Sequence, residues 1–163
     1  DAEPPTGEGQ SQQPAQITLH HSGVVYSGDP EPADYVKNIQ SFHQMEKGWS
    51  DIAYHYLIDR QGRIFEGRDE RTVGDTSTEY DPSNQILIFL LGNFEEQTPT
   101  DPQLEGLSRL GAELCQRYSI DPDSITSHRD LSEQTVCPGK HFYELIKEGV
   151  IVKAIKERLR YRS

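Results

Sequence analysis

Two short stretches hold residue types that could do metal chemistry. SHRDLSEQTVCPG at 127–139 places His128 nine residues ahead of Cys137 in a polar loop, and ITLHHSG at 17–23 carries a pair of histidines. Imidazole nitrogen and thiolate sulfur are good zinc ligands. A site with three protein ligands keeps its fourth position open for water, which is the catalytic rather than the structural arrangement. His20, His128 and Cys137 could form such a set. Zinc held there lowers the pKa of its water from ~15.7 towards ~7 and polarises a substrate carbonyl. Spacing alone carries little weight, because His-x8-Cys matches no strict zinc signature and His20 lies over a hundred residues upstream. Taken singly, each histidine could be a surface or packing residue. Cys137 could instead pair with Cys115, the other cysteine of the chain, as exported proteins allow.

The elements that would bring these groups together can be read from periodicity and turn chemistry. QITLHH (16–21) reads as a short strand ending at the histidines. Pro32 suits the first turn of a helix, in which Val36, Ile39, Phe42 and Met45 recur at helical spacing and Gly48 is the stop. DIAYHYLID and RIFEGR read as strands of a hairpin turning at Gly62, and residues 69–85 as a loop rich in charge, Thr and Ser. QILIFLLGNF (85–94) is apolar almost throughout, the pattern of a central strand covered on both faces. A helix then opens on Thr100, with Gln103 completing a capping box, and runs on a stripe of Leu104, Leu107, Leu110, Leu114 and Tyr118. SIT delivers His128 to the end of a last short strand, and one or two helices interrupted at Gly149 close the chain. Alternating strands and helices predict an α/β fold, a mixed central sheet flanked by helices. In such sheets ligands bind beyond the strand ends, where His20, Tyr54, His55 and His128 all fall.

Bulk composition bounds the rest. The 163 residues suit one domain, and 33% hydrophobic content with a mean hydropathy of -0.76 implies a modest core with polar loops. Acidic residues outnumber basic ones by 27 to 16, a net charge of -11, so nucleic acid and anionic membrane are poor partners. No apolar run approaches the ~20 residues of a transmembrane segment. Residues 1–15, DAEPPTGEGQSQQPA, read as a disordered leader or tether outside a single domain at 16–163. Such leaders often follow an export signal, so an exported bacterial protein, periplasmic or secreted, is the expectation.

Four stretches, in order and over most of residues 16–148, resemble the zinc-dependent N-acetylmuramoyl-L-alanine amidases of the peptidoglycan recognition protein and phage endolysin (type 2 amidase) family. They are ITLHHSG, IQSFHQMEKGWSDIAYHYLIDRQGRIFEGRD, LLGNF and HRDLSEQTVCPG, the second being the most specific. The resemblance implies a mixed sheet with flanking helices, a Zn2+ ion in a surface groove, and a peptidoglycan or muropeptide substrate. The bond cut would be the amide between the lactyl group of N-acetylmuramic acid and L-alanine. By position, His20, His128 and Cys137 match the metal ligands, and Tyr54 matches the tyrosine that supports the zinc water and the tetrahedral intermediate. Thr135 matches the Thr or Lys that stabilises the oxyanion.

Departures from the family pattern fall mainly around the substrate. The His128–Cys137 segment is one residue longer than usual. DTS, with Thr76, stands where many relatives have a His, RDER replaces an aromatic-bearing segment, and NQILIF replaces a common Asn-Ser-Ile-Gly. Thr76, His55 and Arg68 are the substrate-binding candidates, each with a plain structural alternative; Arg68 could simply pair with nearby acids. His21 should face away from the site on its strand, His43 should pack, and Trp49 should be core. Two other functions stay open: a recognition module that binds muropeptides without cutting them, and a zinc peptidase acting within the stem peptide. Non-cutting relatives typically lack the ligand cysteine, which makes Cys137 the discriminating residue.

Overall fold

The structure, a computed structural model, describes residues 3–161. Its strands are β1 (Gln16–His21), β2 (Tyr56–Ile58), β3 (Ile64–Glu66), β4 (Gln85–Leu90) and β5 (Thr126–Ser127). The helices are α1 (Pro32–Met45), α2 (Asp101–Tyr118), α3 (His128–Leu131), α4 (Lys140–Lys147) and α5 (Val150–Arg160), with a 3-10 turn at Pro122–Ser124. The sheet order is β3-β2-β4-β1-β5, with β3 antiparallel to β2 and the other neighbours parallel. This is the expected mixed sheet.

β4 is buried along its whole length, which is why its sequence does not alternate. Its residues divide between two cores. Ile86, Ile88 and Leu90 join Ile17 and Leu19 of β1 against α2, α4 and α5, whereas Phe89, and Leu91 just past the strand, face Val36 and Ile39 of α1. Alternation along β1 follows the same parity. With Ile17 and Leu19 turned to the α2 side, His20 must point to the α1 side, beside Phe89, its register partner on β4. The hydrophobic pattern of one strand thus aims the first histidine.

Helix boundaries follow local chemistry. Pro32 opens α1, and Thr100 and Gln103 close the expected capping box on α2, a device worth about 1 kcal/mol. Gly149, at φ 79, separates α4 from α5. The expected α1 stripe is only half used: Val36 and Ile39 pack, but Phe42 and Met45 are exposed. Helical spacing reported the helix correctly and overstated its buried face.

The leader expectation does not describe residues 3–15. Ser11 bridges Thr72, the Val73 amide donates to the Gln10 carbonyl at 2.8 Å, and the Thr6 amide donates to Ser50 at 2.8 Å. The buried Gln12 side chain donates to the carbonyls of Glu70 (2.9 Å) and Gln85 (3.0 Å). Backbone and amide bonds anchor this stretch, so no apolar periodicity was needed to fix it.

Candidate metal centre and cleft

The second histidine and the cysteine are placed by tight turns. β5 passes directly into α3 through a capping box in which the Ser127 hydroxyl accepts from the Asp130 amide and Asp130 accepts from the Ser127 amide. His128 therefore occupies the first position of α3. The chain then folds back through 132–139. Thr135 Oγ1 accepts the Cys137 amide at 3.0 Å, and the Cys137 sulfur accepts the His21 amide at 3.3 Å. Gly139 closes the turn at φ 89, where a Cβ would sit 2.5 Å from the Phe94 carbonyl carbon. Only glycine fits both the backbone and the space.

These turns bring His20, His128 and Cys137 together, with one potential ligand atom from each lying within 4.8 Å of the others. His20 Nδ1 is 3.7 Å from Cys137 Sγ, and the His20 and His128 rings are 4.8 Å apart. Burial, then the neighbouring His128, holds the His20 pKa well below the usual value, and burial brings His128 to about 4. Both rings are neutral at pH 7, with a lone pair to offer. Burial pushes the Cys137 thiol up to about 12, so a metal binding there must displace its proton. Both cysteines are free thiols, and Cys115 belongs to the α2 core.

The cluster opens into a cleft of about 340 Å3 bordered by Tyr54, Thr76, Thr135, His43 and Trp49. Tyr54 stacks on Phe89 with centroids 4.4 Å apart and lies 5.4 Å from the His20 ring. Burial, then the nearby Cys137, raises its pKa, so the phenol keeps its proton as a donor. Thr135 uses its oxygen to accept the Cys137 amide, which leaves its own proton to give. Trp49 is half-exposed on the cleft, edge-on to His43, rather than core. His21 packs on Phe94 behind the site, its Nδ1 accepting the Phe94 amide at 3.2 Å. An apolar groove lined by Pro30, Tyr35, Ile39 and Phe42 continues from the cleft along α1.

Two of the substrate-binding candidates are corrected by their surroundings. His55 is 1% exposed, with Nδ1 accepting the Leu87 amide at 2.9 Å and Nε2 on the Thr72 carbonyl at 2.8 Å. Both nitrogens serve the backbone. Arg68 is 5% exposed and donates to the carbonyls of Ile52, Val73 and Asp51 at 2.7–2.8 Å while pairing with Asp75 at 2.8 Å. It is a clamp between the segment that carries Tyr54 and the loop that carries Thr76. Arg68→Ala leaves three carbonyls without this donor and Asp75 unpaired, so it is expected to cost about 3 kcal/mol or more. Urea unfolding measures this, and a loss under about 1 kcal/mol would show that the clamp is not needed.

Sequence reasoning picked out Thr76 in the loop at 75–80, DTSTEY, but passed over Thr78, Glu79 and Tyr80. Thr78 Oγ1 is 2.6 Å from His128 Nε2, the Tyr80 hydroxyl is 3.3 Å from His20 Nε2, and Ser132 donates to Glu79 at 2.8 Å. No motif marks these residues. Their only signal is a run of hydroxyl side chains in a loop facing the histidines.

Fold and site together define a class. The chain belongs to the N-acetylmuramoyl-L-alanine amidase family, whose pattern matches residues 10–140. Within it, the chain is 30% identical to peptidoglycan-recognition protein SD of Drosophila simulans over 154 residues, 91% of this chain and 81% of the relative. Its structure is similar to that of N-acetylmuramoyl-L-alanine amidase LysC from Clostridium intestinale, with TM-score 0.71, 31% identity, and 85% and 86% of the two chains covered. It is also similar to peptidoglycan recognition protein LE in complex with tracheal cytotoxin, a monomeric diaminopimelic acid-type peptidoglycan, with TM-score 0.80, 28% identity, and 90% and 88% covered.

Proposed function

We propose that this chain is a zinc-dependent N-acetylmuramoyl-L-alanine amidase, cutting the amide between N-acetylmuramic acid and L-alanine in peptidoglycan or its fragments. The observation that carries the reading is the approach of His20, His128 and Cys137 within 4.8 Å at the floor of a cleft. Two neutral imidazoles and a buried thiol are a donor set suited to Zn2+, and three of them leave a position open. Zinc bound there supplies Lewis acidity for the amide carbonyl and makes the attacking water acidic enough to react near neutral pH.

The chain's own residues do the rest. The cleft orients the muramoyl end, and the groove along α1 has room for a longer substrate. Tyr54, protonated and beside His20, donates a hydrogen bond to the oxygen that gains charge as the carbonyl is attacked. Thr135, anchored through the Cys137 amide, offers a second donor to the same oxygen. Donors fixed before the reaction favour the transition state over the ground state. An exported domain goes with this reading, because intact peptidoglycan lies outside the cytoplasmic membrane. Among the described residues no helix is long and apolar enough to cross a membrane.

The test is to incubate zinc-loaded protein with a purified muramoyl-tripeptide and identify the products by mass spectrometry. A free peptide with an L-alanine amino terminus supports the amidase. Bound but intact substrate makes the chain a recognition module, and cleavage inside the stem makes it a peptidase. Tyr54→Phe is expected to lower kcat about 10²- to 10³-fold with little change in KM. A kcat within about threefold of wild type would remove Tyr54 from the oxyanion role.

A further inference from the structure

We propose that Thr78 and Tyr80 are positioning residues for the metal: they engage Nε2 of His128 and His20 and so leave Nδ1 of both rings for zinc. This inference rests on the zinc reading and assigns a job to the loop at 75–80. A neutral imidazole carries one N–H and one lone pair, and the partner of one nitrogen decides which the other presents.

In His20 the two nitrogens face different neighbours. Nδ1 lies 3.7 Å from Cys137 Sγ, and Nε2 lies 3.3 Å from the Tyr80 hydroxyl. A metal sharing the sulfur must approach Nδ1. In His128, Nε2 is already engaged at 2.6 Å by Thr78 Oγ1, which leaves Nδ1 as the nitrogen without a hydrogen bond among the described residues.

Thr78 has a second oxygen that can take its proton. Its Oγ1 lies 2.9 Å from Thr76 Oγ1, and its amide donates to the same oxygen at 3.2 Å. We assign the Thr78 hydroxyl proton to Thr76, which turns a Thr78 lone pair to the imidazole N–H. Tyr80 adds an edge contact to the His128 ring at 5.1 Å. The loop is tied ahead of this pair by Asp75 to Arg68 at 2.8 Å, and between its two members by Glu79 to Ser132 at 2.8 Å. The hydroxyls are therefore in place before any ion arrives, and the rings need not reorient to bind it. Outer partners of this kind, when removed, weaken metal affinity about 10- to 100-fold.

Zinc dissociation constants of wild type, Thr78→Val, Thr78→Ser and Tyr80→Phe would be measured by competition with a chromophoric chelator. Nitrogen-15 spectra of the histidine rings would be recorded on zinc-free and zinc-loaded protein. Thr78→Val is expected to weaken binding about 10- to 100-fold, with Thr78→Ser restoring it. Tyr80→Phe is expected to weaken it less, given its longer contact. Both rings should show a protonated Nε2 when loaded, and the zinc-free thermal midpoint of Thr78→Val should match wild type. Undiminished affinity in Thr78→Val, or metal on Nε2, overturns the inference while the zinc reading stands. A wild type that binds no zinc overturns both, so the two failures are distinguishable.

Discussion

Cys137→Ala is expected to abolish zinc binding and hydrolysis together while leaving muropeptide binding in place. The sulfur is 3.7 Å from His20 Nδ1 and accepts the His21 amide at 3.3 Å, so it joins the candidate metal centre to the end of β1. Removing one preorganised donor from an active site typically costs about 10²- to 10³-fold in kcat. Losing a ligand that holds the metal removes the activated water as well, so kcat/KM should fall more than about 10³-fold. The fold should survive, because Cys137 lies outside both packed cores and alanine retains its Cβ. A thermodynamic readout accompanies the kinetic one. Zinc at a hundred times its dissociation constant should stabilise wild type by about 2.7 kcal/mol and the variant hardly at all. Substrate capture should persist, since Trp49, His43 and Thr76 still border the cleft. If Cys137→Ala still released peptide at the wild-type rate, the metal centre would have to be built from other residues.

Much of this site could be read in the chain because each element that delivers it has a strong local signal. β4 is unbroken apolar sequence and was expected as the central strand; α2 carries both its cap and its stripe. Residue type alone suggests His20, His128 and Cys137 as a ligand set, but it took resemblance to a family to single them out, since their separation along the chain says nothing of their approach. What stayed hidden depended on polar contacts between segments far apart in sequence. Arg68 and His55 look like groove residues in a motif, yet their donors and acceptors are consumed by backbone groups 5 to 32 residues away. Thr78 and Tyr80 meet histidines 50 and 60 residues distant. Residues 3–15 lack any apolar period and still dock, because Gln12 reaches two carbonyls across 58 and 73 residues. Hydrophobic periodicity reports which face is buried; it does not report which buried polar group finds a partner.

Acidification is expected to unfold the zinc-free protein between pH 6 and 4, because three histidines outside the ligand set are built into the fold as acceptors. Nδ1 of His43 receives the Ala53 amide at 3.0 Å, Nδ1 of His55 the Leu87 amide at 2.9 Å, and Nδ1 of His21 the Phe94 amide at 3.2 Å. A proton added at any of these nitrogens sets N–H against N–H in a buried site. Burial is the main cause that brings all three to about 4 from 6.5. The folded pKa is the lower one, so below pH 6.5 the unfolded chain takes up protons that the folded chain refuses. The stability these groups contribute is complete above pH 6.5 and drains away as pH falls towards 4. His43 and His55 alone amount to about 2.7 kcal/mol per pH unit in that window, and His21 has the same sign. Against a total of about 5–15 kcal/mol for a domain, a drop of two units removes much or all of it. Urea unfolding of chelator-treated protein at several pH values gives the slope directly. A slope of at least two protons between pH 6 and 4.5 is the expected result, since His20 and His128, also lowered by burial, add to it with the same sign in the zinc-free protein. A flat profile would mean that these imidazoles charge without disturbing the backbone they hold, and that His55 in particular does not tie β4 to the segment bearing Tyr54.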